Sequence, residues 1–227
     1  MLDAAPGAGA SIIELGVPWS DPVADGPVIQ ASSHAALAGG MTLPGVLELL
    51  AAARPAAPVV LMSYVNPILR YGAARFAADA RAAGASGLLV TDLPAGADAA
   101  TEAELQSSGL PLVRLVAPTT PPARLAAIAR SAAGFVYLVA RLGVTGAGRA
   151  ADSLGDMVAS LRALTALPVA VGFGVAEPDD AARLARLADG VVVGSALVRR
   201  MGERGGDAGL ALLRDLRTAL DRERCVA

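Results

Sequence analysis

The chain has 227 residues and a formal net charge of −2, with 19 Lys and Arg residues against 21 Asp and Glu residues. No block of basic residues is long enough to follow a phosphate backbone, which argues against a nucleic acid partner. Hydrophobic residues make up 54% of the chain and aromatic residues only 3%, so alanine, valine and leucine must build a core of helices packed on parallel strands.

The single cysteine, the first ten residues and the single histidine bear on where the protein is located and whether it binds a metal. The only cysteine, Cys225, lies two residues from the C-terminus, and the first ten residues, MLDAAPGAGA, lack the basic region and apolar run of a signal peptide. No apolar run approaches the roughly 20 residues of a spanning helix. These features predict a cytoplasmic protein. With His34 as the only histidine, we expect no metal site and assign His34 no role.

Seven short runs of β-branched or apolar residues recur along the chain, and each predicts a buried strand. In chain order they read SIIELGV, PVVLMSY, GLLVTDL, PLVRLVA, FVYLVA, PVAVGFG and GVVVGSA. The segments between them carry apolar residues at spacings of three and four, which predicts helices. Strand and helix therefore alternate throughout.

The helix boundaries carry recognisable signals. Thr120 ahead of Pro121 predicts an N-cap followed by a proline in the first turn, and Pro178 followed by two aspartates predicts a second helix start. Glycines near the ends of helical patterns predict C-terminal caps. They are Gly39, Gly40, Gly84 and Gly134.

No linker or low-complexity segment divides the chain, so we predict a single domain over residues 1–227. Alternating strands and helices are compatible with an open doubly wound sheet or a closed barrel. A barrel holds phosphate at the loops after strands 7 and 8. Here GFGVAEP follows the sixth run and VVVGSALV ends the seventh. The pattern favours a TIM (β/α)8-type barrel with seven of the eight βα units.

Three carboxylates lie in or after the first predicted strand, in the stretch IIELGVPWSDPVADGP. Glu14 has apolar neighbours on both sides, while Asp21 and Asp25 follow in one short loop. An ionised carboxylate in an apolar setting is costly unless it is paired or used. Glu14 is therefore either a functional group or one half of a salt bridge at the strand end.

Seven motifs together resemble one known family over nearly the whole chain. They read ELGVPWSDPVADGPVIQ, LMSYVNPILRYG, VTDLP, VAPTT, YLVARLGVTGAGR, VGFGV and VVVGSALV. The chain looks like the α subunit of tryptophan synthase. The resemblance implies a (β/α)8 barrel that cleaves indole-3-glycerol phosphate to indole and glyceraldehyde 3-phosphate without a cofactor of its own. It also implies an α2β2 complex whose β subunit joins indole to serine with pyridoxal phosphate.

The resemblance assigns the two central carboxylates. Glu14 matches the family's proton-transferring glutamate, and Asp25 matches the aspartate that binds the indole N–H. Desolvation on an apolar strand would raise the pKa of Glu14, so that it holds a proton near neutral pH and acts as acid and then base. Asp25, on a better solvated loop, would stay ionised.

Backbone N–H groups at glycine-rich turns and a helix N-terminus can form an anion site without a lysine cluster. The resemblance supports this role for the turns after the last strands, where Gly172 and Phe173 shape one turn, although glycine is also common there for packing alone. The predicted phosphate ligands are Gly146, Gly174, Gly194 and Ser195.

The same correspondence places Tyr64, Tyr137 and Phe173 at the substrate, although core packing explains a strand tyrosine equally well. The segment ARLGVTGAGRAADSLG is rich in glycine and alanine and predicts a lid over the substrate, with Thr145 hydrogen-bonded to the loop that carries Asp25. A surface linker is the alternative. This segment is one residue longer before Arg149 than in the family, so Arg149 receives no role.

Pro18, Trp19 and Asp21 belong to the loop that faces the β subunit in the family, so they are predicted interface residues, with loop packing as the alternative. In the family, a helix and a first barrel strand precede the segment corresponding to SIIELGV. We therefore expect unpaired edges at SIIELGV and GVVVGSA. We also expect water beside Glu14, which would lower its pKa, in opposition to the desolvation argument.

Two other functions are compatible with these residues. One is a catalytically impaired homologue that only binds and activates a β subunit, and the other is a different phosphate-binding barrel enzyme. Intact Glu14 and Asp25 argue against the first, and the motif SDPVADGP argues against the second.

Overall fold

The computed structural model describes residues 1–139, 147–172 and 174–224, and of residues 147–153 and 224 it describes only the backbone. The described chain forms two compact units, Met1–Val113 and Arg114–Ala227. The prediction of a single domain stays a prediction.

The first unit contains three complete strands and five α-helices, preceded by a short 3-10 helix at Pro6–Ala8. The strands are β1 (Ile13–Gly16), β2 (Val59–Ser63) and β3 (Gly87–Val90). The helices are α1 (Pro27–Ala38), α2 (Leu43–Ala53), α3 (Val65–Tyr71), α4 (Ala73–Ala83) and α5 (Ala99–Gln106).

Strand β4 (Leu112–Val116) begins at the end of the first unit and continues into the second. The other strands of the second unit are β5 (Val136–Val139), β6 (Val169–Gly172) and β7 (Gly190–Val192). Its helices are α6 (Pro122–Ser131), α7 (Ala147–Leu164), α8 (Pro178–Ala185), α9 (Ser195–Arg204) and α10 (Gly206–Arg224). Each of the seven predicted strands is thus confirmed.

All pairings between these strands are parallel and follow the order of the sequence. In the first unit, Glu14 of β1 lies opposite Val60 of β2, and Leu61 of β2 lies opposite Leu88 of β3. A doubly wound sheet reverses its strand order at a switch point, and the order here has no reversal. The pairing therefore confirms the barrel-type topology over the doubly wound alternative.

Alanine allows the helices of the first unit to pack closely on its strands. In α4, Ala73, Phe76, Ala77 and Ala80 are buried, and their spacing of three and four places them on one helix face. Every residue of β3 is also buried, as expected for a parallel strand that is covered on both faces. The scarcity of aromatic residues is thus compensated by close helix approach.

Two helix starts were predicted with different success. Helix α6 begins one residue later than predicted, with Pro121 as the N-cap and Pro122 in the first turn. Thr120 instead accepts the backbone N–H of Ala117 through its hydroxyl oxygen at 3.0 Å, in the preceding turn. A residue before proline avoids the helical region, so the double proline delays the start. Pro178 does begin α8 as predicted.

The predicted glycine caps are partly correct. Gly39 and Gly84 are the C-caps of α1 and α4, and Gly84 adopts a φ of 101°, which favours glycine. Gly134 is not a cap, because α6 already ends at its C-cap Ala132.

No single helix in the described ranges is long and apolar enough to cross a membrane. Helices α1 and α2 meet that requirement only as a pair, and they are bent by 93° at the break between them.

Within the part of the chain that the structure describes, β1 pairs only with β2, and β7 pairs only with β6. The predicted unpaired edges are therefore present. No residue of β1 or of the following helix α1 is fully buried, and the same holds for β7 and α9. Such edges offer free backbone groups to a further strand.

Ile12→Lys should reduce self-association of this chain, because a lysine beside an edge strand opposes edge-to-edge pairing. Ile12 directly precedes β1 and is 49% exposed. Leu69→Lys, at an equally exposed position on α3, is the matched control. Sedimentation velocity over a concentration series measures the effect. Equal association of both variants would mean that β1 is not the contact.

Candidate active site

Glu14 lies in the middle of β1, and its side chain keeps only part of its surface exposed. Desolvation by the surrounding protein, helped by the negative charge of Asp25, raises the pKa of Glu14 to about 7. The predicted raised pKa is confirmed, and the predicted wetting with a lowered pKa is wrong. The unpaired edge of β1 leaves backbone groups open, but desolvation still outweighs any exposure in its effect on the pKa of Glu14.

Asp25 lies on the loop between β1 and α1, and its carboxylate Oδ2 accepts a hydrogen bond from the Tyr64 hydroxyl at 2.8 Å. Burial raises the pKa of Asp25 above its ordinary value, and this hydrogen bond offsets only part of the rise. Asp25 is half-buried and less enclosed than Glu14, which agrees with the prediction of a better solvated loop. The hydrogen bond from Tyr64 was not predicted, and the ionised state of Asp25 stays a prediction.

Tyr64 follows β2 directly and is only 3% exposed. Its hydroxyl oxygen also accepts the backbone N–H of Ala24 at 2.9 Å, so one side chain contacts two consecutive residues of the β1–α1 loop. Burial and the hydrogen bond to Asp25 raise the pKa of Tyr64 to about 12. Tyr64 therefore keeps its proton and remains a donor to Asp25 near neutral pH. Its predicted contact with the indole ring stays a prediction.

Three side chains of α1 hold the same loop, a role that was not predicted from the sequence. Gln30 donates to the backbone oxygen of Asp25 at 2.9 Å. The Ser33 hydroxyl accepts the Trp19 N–H at 2.8 Å and donates to the Trp19 carbonyl at 2.9 Å. His34, to which no role was assigned, lies 3.0 Å from a loop carbonyl through Nε2. Their spacing of three and four puts them on one helix face, which is a signal visible in the sequence.

The loop also contains the residues predicted to contact a partner. Pro18 and Trp19 are partly exposed, and Asp21 is exposed and accepts the hydroxyl of Ser20 at 2.7 Å. Val23, which the sequence analysis did not select, is 82% exposed. The loop thus presents polar and apolar surface together, and the partner role of these residues stays a prediction.

In the second unit, Tyr137 of β5 packs over Gly172 of β6. A Cβ atom on Gly172 would lie 2.5 Å from the Tyr137 hydroxyl oxygen and 2.8 Å from the Cβ of Val192. Glycine is therefore required at position 172 by the approach of its neighbours, which supports the packing alternative for this residue. The predicted contact of Tyr137 with the substrate stays untested.

The two predicted phosphate turns of the second unit have different local properties. Gly174 follows β6 with a φ of 79°, a conformation that favours glycine. Gly194 is the N-cap of α9, and a Cβ added there would meet nothing within 4 Å. Ser195 begins α9, whose first turn contains no acidic residue. Free N–H groups of a helix start beside open space suit an anion.

The remaining predictions fall on residues that the structure does not describe. Thr145, Gly146 and Phe173 lie outside the described residues, as does the side chain of Arg149 and most of the glycine-rich part of the predicted lid. Within the described ranges, no group of three or more His, Cys, Asp or Glu residues could hold a metal ion.

Parallel strands that pair in sequential order, with helices between them along the chain, define a protein of the (β/α)8-barrel class. A family model described as "Tryptophan synthase alpha chain" matches residues 1–223. The chain belongs to the tryptophan synthase alpha chain family.

Individual relatives agree with this assignment. The alpha chain of Citrifermentans bemidjiense is 52% identical over 195 residues, which are 85% of this chain and 73% of the relative. That of Laribacter hongkongensis is 51% identical over 221 residues, covering 94% of this chain and 83% of the relative. The solved Mycobacterium tuberculosis tryptophan synthase superposes with a TM-score of 0.88 at 40% identity, covering 96% of this chain and 84% of that chain. The Legionella pneumophila alpha subunit gives 0.86 at 36% identity, covering 96% and 84%.

Proposed function

We propose that Glu14 and Asp25 carry the cleavage of indole-3-glycerol phosphate to indole and glyceraldehyde 3-phosphate. This carbon–carbon lyase reaction of tryptophan biosynthesis is the reaction of the family to which the chain belongs. The observation that carries the assignment is the pair itself: a carboxyl group with a pKa near 7 lies within electrostatic reach of a second carboxylate held by a tyrosine.

The reaction requires a proton on the indole ring carbon that bears the glycerol chain, and the removal of a proton from the adjacent hydroxyl group. With a pKa of about 7, Glu14 holds a proton in a large fraction of molecules at neutral pH. Protonated Glu14 donates to the ring carbon. The resulting carboxylate then accepts the hydroxyl proton while the carbon–carbon bond breaks and the aldehyde forms. Glu14 ends the cycle protonated, as it began.

Asp25 has a different task, because protonation of the ring carbon places positive charge on the indole nitrogen. An ionised carboxylate that accepts the indole N–H stabilises this charge, and the stabilisation is greater in the transition state than in the bound substrate. Burial raises the pKa of Asp25, and the hydrogen bond from Tyr64 opposes this rise and so favours the ionised form. Desolvation and, after it, the negative charge of Asp25 raise the pKa of Glu14, so Asp25 favours the protonated form of Glu14.

The binding of the rest of the substrate is proposed from the sequence correspondence and from local geometry. The phosphate is assigned to the N–H groups at Gly174 and at Gly194–Ser195, with Gly146, and the open space beside Gly194 supports this. By the sequence correspondence alone, Tyr64, Tyr137 and Phe173 are assigned to the indole ring, and Thr145 is assigned a hydrogen bond to the loop of Asp25.

The partner and location are also part of the proposal. The solved relatives include tryptophan synthase, and we assign a β subunit that holds pyridoxal phosphate, in an α2β2 complex, as the partner. Pro18, Trp19 and Asp21 would contact it, and the strong exposure of Val23 adds apolar surface to the same loop. This chain would need no cofactor. A phosphorylated substrate does not cross membranes freely, which supports a cytoplasmic location.

The decisive experiment incubates the chain with indole-3-glycerol phosphate, with and without a tryptophan synthase β subunit, and measures released indole. Indole release above the uncatalysed rate in either mixture supports the lyase. Stimulation of the β reaction from added indole and serine, without any cleavage, would instead identify an impaired homologue that only activates its partner. If neither cleavage nor stimulation were observed, the remaining alternative would be a different phosphate-binding barrel enzyme.

Gly194→Asp should weaken the binding of glycerol phosphate by at least about tenfold, because a carboxylate at the start of α9 repels a phosphate dianion. Gly202→Asp is the matched control, since Gly202 lies on the same helix with nothing within 4 Å of an added Cβ. Isothermal titration calorimetry measures both affinities. Equal affinities would remove Gly194 from the phosphate site.

A further inference from the structure

The loop after β3 contains an aspartate, Asp92 of the motif VTDLP, that the proposed function leaves without a role. Its Oδ1 accepts the backbone N–H of Val65 at 2.7 Å. Val65 is the first residue of α3, and the N-cap residue Tyr64 makes no side-chain cap hydrogen bond of its own. Asp92, in the loop after β3, therefore satisfies a free N–H at the start of α3 in place of an N-cap side chain.

Further hydrogen bonds fix the backbone on both sides of this contact. The Thr91 N–H donates to the Ser63 carbonyl at 2.9 Å, and the Thr91 hydroxyl approaches the same oxygen at 3.3 Å. The Ser63 hydroxyl donates to the carbonyl of Tyr64 at 3.1 Å. The end of β2 is thus tied to the end of β3 immediately before and after Tyr64.

The side chain of Tyr64 then transmits this placement to the β1–α1 loop. Its hydroxyl accepts the N–H of Ala24 and donates to Asp25, at 2.9 and 2.8 Å. Because Tyr64 is 3% exposed, its ring has little freedom to compensate for a displaced backbone. A shift at the start of α3 would therefore move the hydroxyl away from Asp25.

We propose that Asp92 is a positioning residue for the cleavage reaction, which fixes the first turn of α3 and, through Tyr64, the carboxylate of Asp25. The inference rests on the proposed function, since it assumes that Asp25 acts on the indole nitrogen. Asp92 itself does not contact substrate. Its contribution is transmitted over two hydrogen bonds that join residues distant in sequence.

The test compares Asp92→Ala with Asp92→Asn. Alanine removes the acceptor for the Val65 N–H, whereas asparagine retains an oxygen at the same place. We expect Asp92→Ala to lower kcat about 3- to 30-fold, as part of a charged hydrogen bond's contribution is lost. KM should change less than kcat, because Asp25 acts mainly in the transition state. Asp92→Asn should retain most of the activity.

Asp98→Ala is the matched control. Asp98 caps α5 in the same unit, where its Oδ1 accepts the Thr101 N–H at 3.1 Å and its Oδ2 accepts the Thr101 hydroxyl at 2.7 Å. Loss of this cap should lower stability, as the loss of other helix N-caps does. Cleavage by Asp98→Ala should be unchanged. An equal loss of kcat in both alanine variants would show that Asp92 is only a helix cap.

Amide hydrogen exchange supplies a readout that does not depend on activity. In Asp92→Ala, exchange at Val65 and at Ala24 should both accelerate, while Asp98→Ala should accelerate only Thr101. Unchanged exchange at Ala24 would overturn the proposed transmission. If the unmodified chain releases no indole, the proposed function fails, and the exchange data still decide whether the chain of contacts exists.

A double variant separates an effect of Asp92 that acts through Tyr64 from an effect of Asp92 that does not. Tyr64→Phe should lower kcat more than Asp92→Ala does, and the two changes together should lower it no further than Tyr64→Phe alone. Additive losses would overturn the proposal. Tyr71→Phe, which removes a similar hydroxyl donor to Asp79 at 2.6 Å, controls for the loss of a tyrosine hydroxyl.

Discussion

Glu14→Gln is expected to lower the cleavage of indole-3-glycerol phosphate by about 10²- to 10⁴-fold, which is the usual contribution of a general acid–base group. Glutamine has nearly the same volume and can occupy the same position on β1, but it cannot donate a proton to the ring carbon. The rate of indole release under saturating substrate measures the effect.

Glu48→Gln, on the exposed face of α2, is the control and should cleave at the unmodified rate. Circular dichroism should show the same fold for both variants. If Glu14→Gln retained more than about a tenth of the activity, the group that transfers the proton would have to be sought elsewhere.

Glu14→Gln should also change how the free energy of unfolding depends on pH. The pKa of Glu14 is about 7 in the folded chain and 4.5 in the unfolded chain. Between pH 4.5 and pH 7, the folded state therefore holds a proton that the unfolded state has released. This contribution to stability is fully present below pH 4.5 and is lost as the pH rises through 7. The glutamine side chain that replaces Glu14 does not titrate. The stability of the variant relative to the unmodified chain should therefore improve from pH 5 to pH 8. Urea unfolding at both pH values should show an improvement of at most about 3 kcal/mol.

Asp25→Asn is expected to lower cleavage by at least about 10²-fold, because a neutral amide does not stabilise positive charge on the indole nitrogen as a carboxylate does. It should also lower the pKa of Glu14, since the charge of Asp25 is one of the two causes that raise it. Carboxyl titration by NMR measures the second effect. Desolvation is the larger cause, so the pKa of Glu14 should remain above its ordinary value.

Asp79→Asn is the matched control, because Asp79 also accepts a tyrosine hydroxyl, that of Tyr71. It should leave both cleavage and the titration of Glu14 unchanged. If Asp25→Asn cleaved at the unmodified rate, the indole nitrogen would not lie at this carboxylate. If Asp25→Asn lowered cleavage but left the titration of Glu14 unchanged, the proposed electrostatic coupling between Asp25 and Glu14 would be contradicted.

Local sequence patterns determined the elements of this protein. Short runs of β-branched or apolar residues identified each strand, because composition and short length are properties of a few neighbouring positions. Glu14 was identified as unusual for the same reason, since a carboxyl group in an apolar run is visible without any tertiary contact. The helix start at Pro178 depends on the restricted φ of one residue, and it too was predicted.

The tertiary structure decided which groups act together. The sequence supported two opposite expectations for the pKa of Glu14, because desolvation depends on atoms from several elements around the carboxyl group. The hydrogen bond between Tyr64 and Asp25 joins residues 39 positions apart, and that between Asp92 and Val65 joins residues 27 positions apart. Such contacts follow from parallel pairing, which brings the carboxyl ends of successive strands to one edge of the sheet. A single sequence names these residues, but their hydrogen bonds and protonation depend on how the strands are paired.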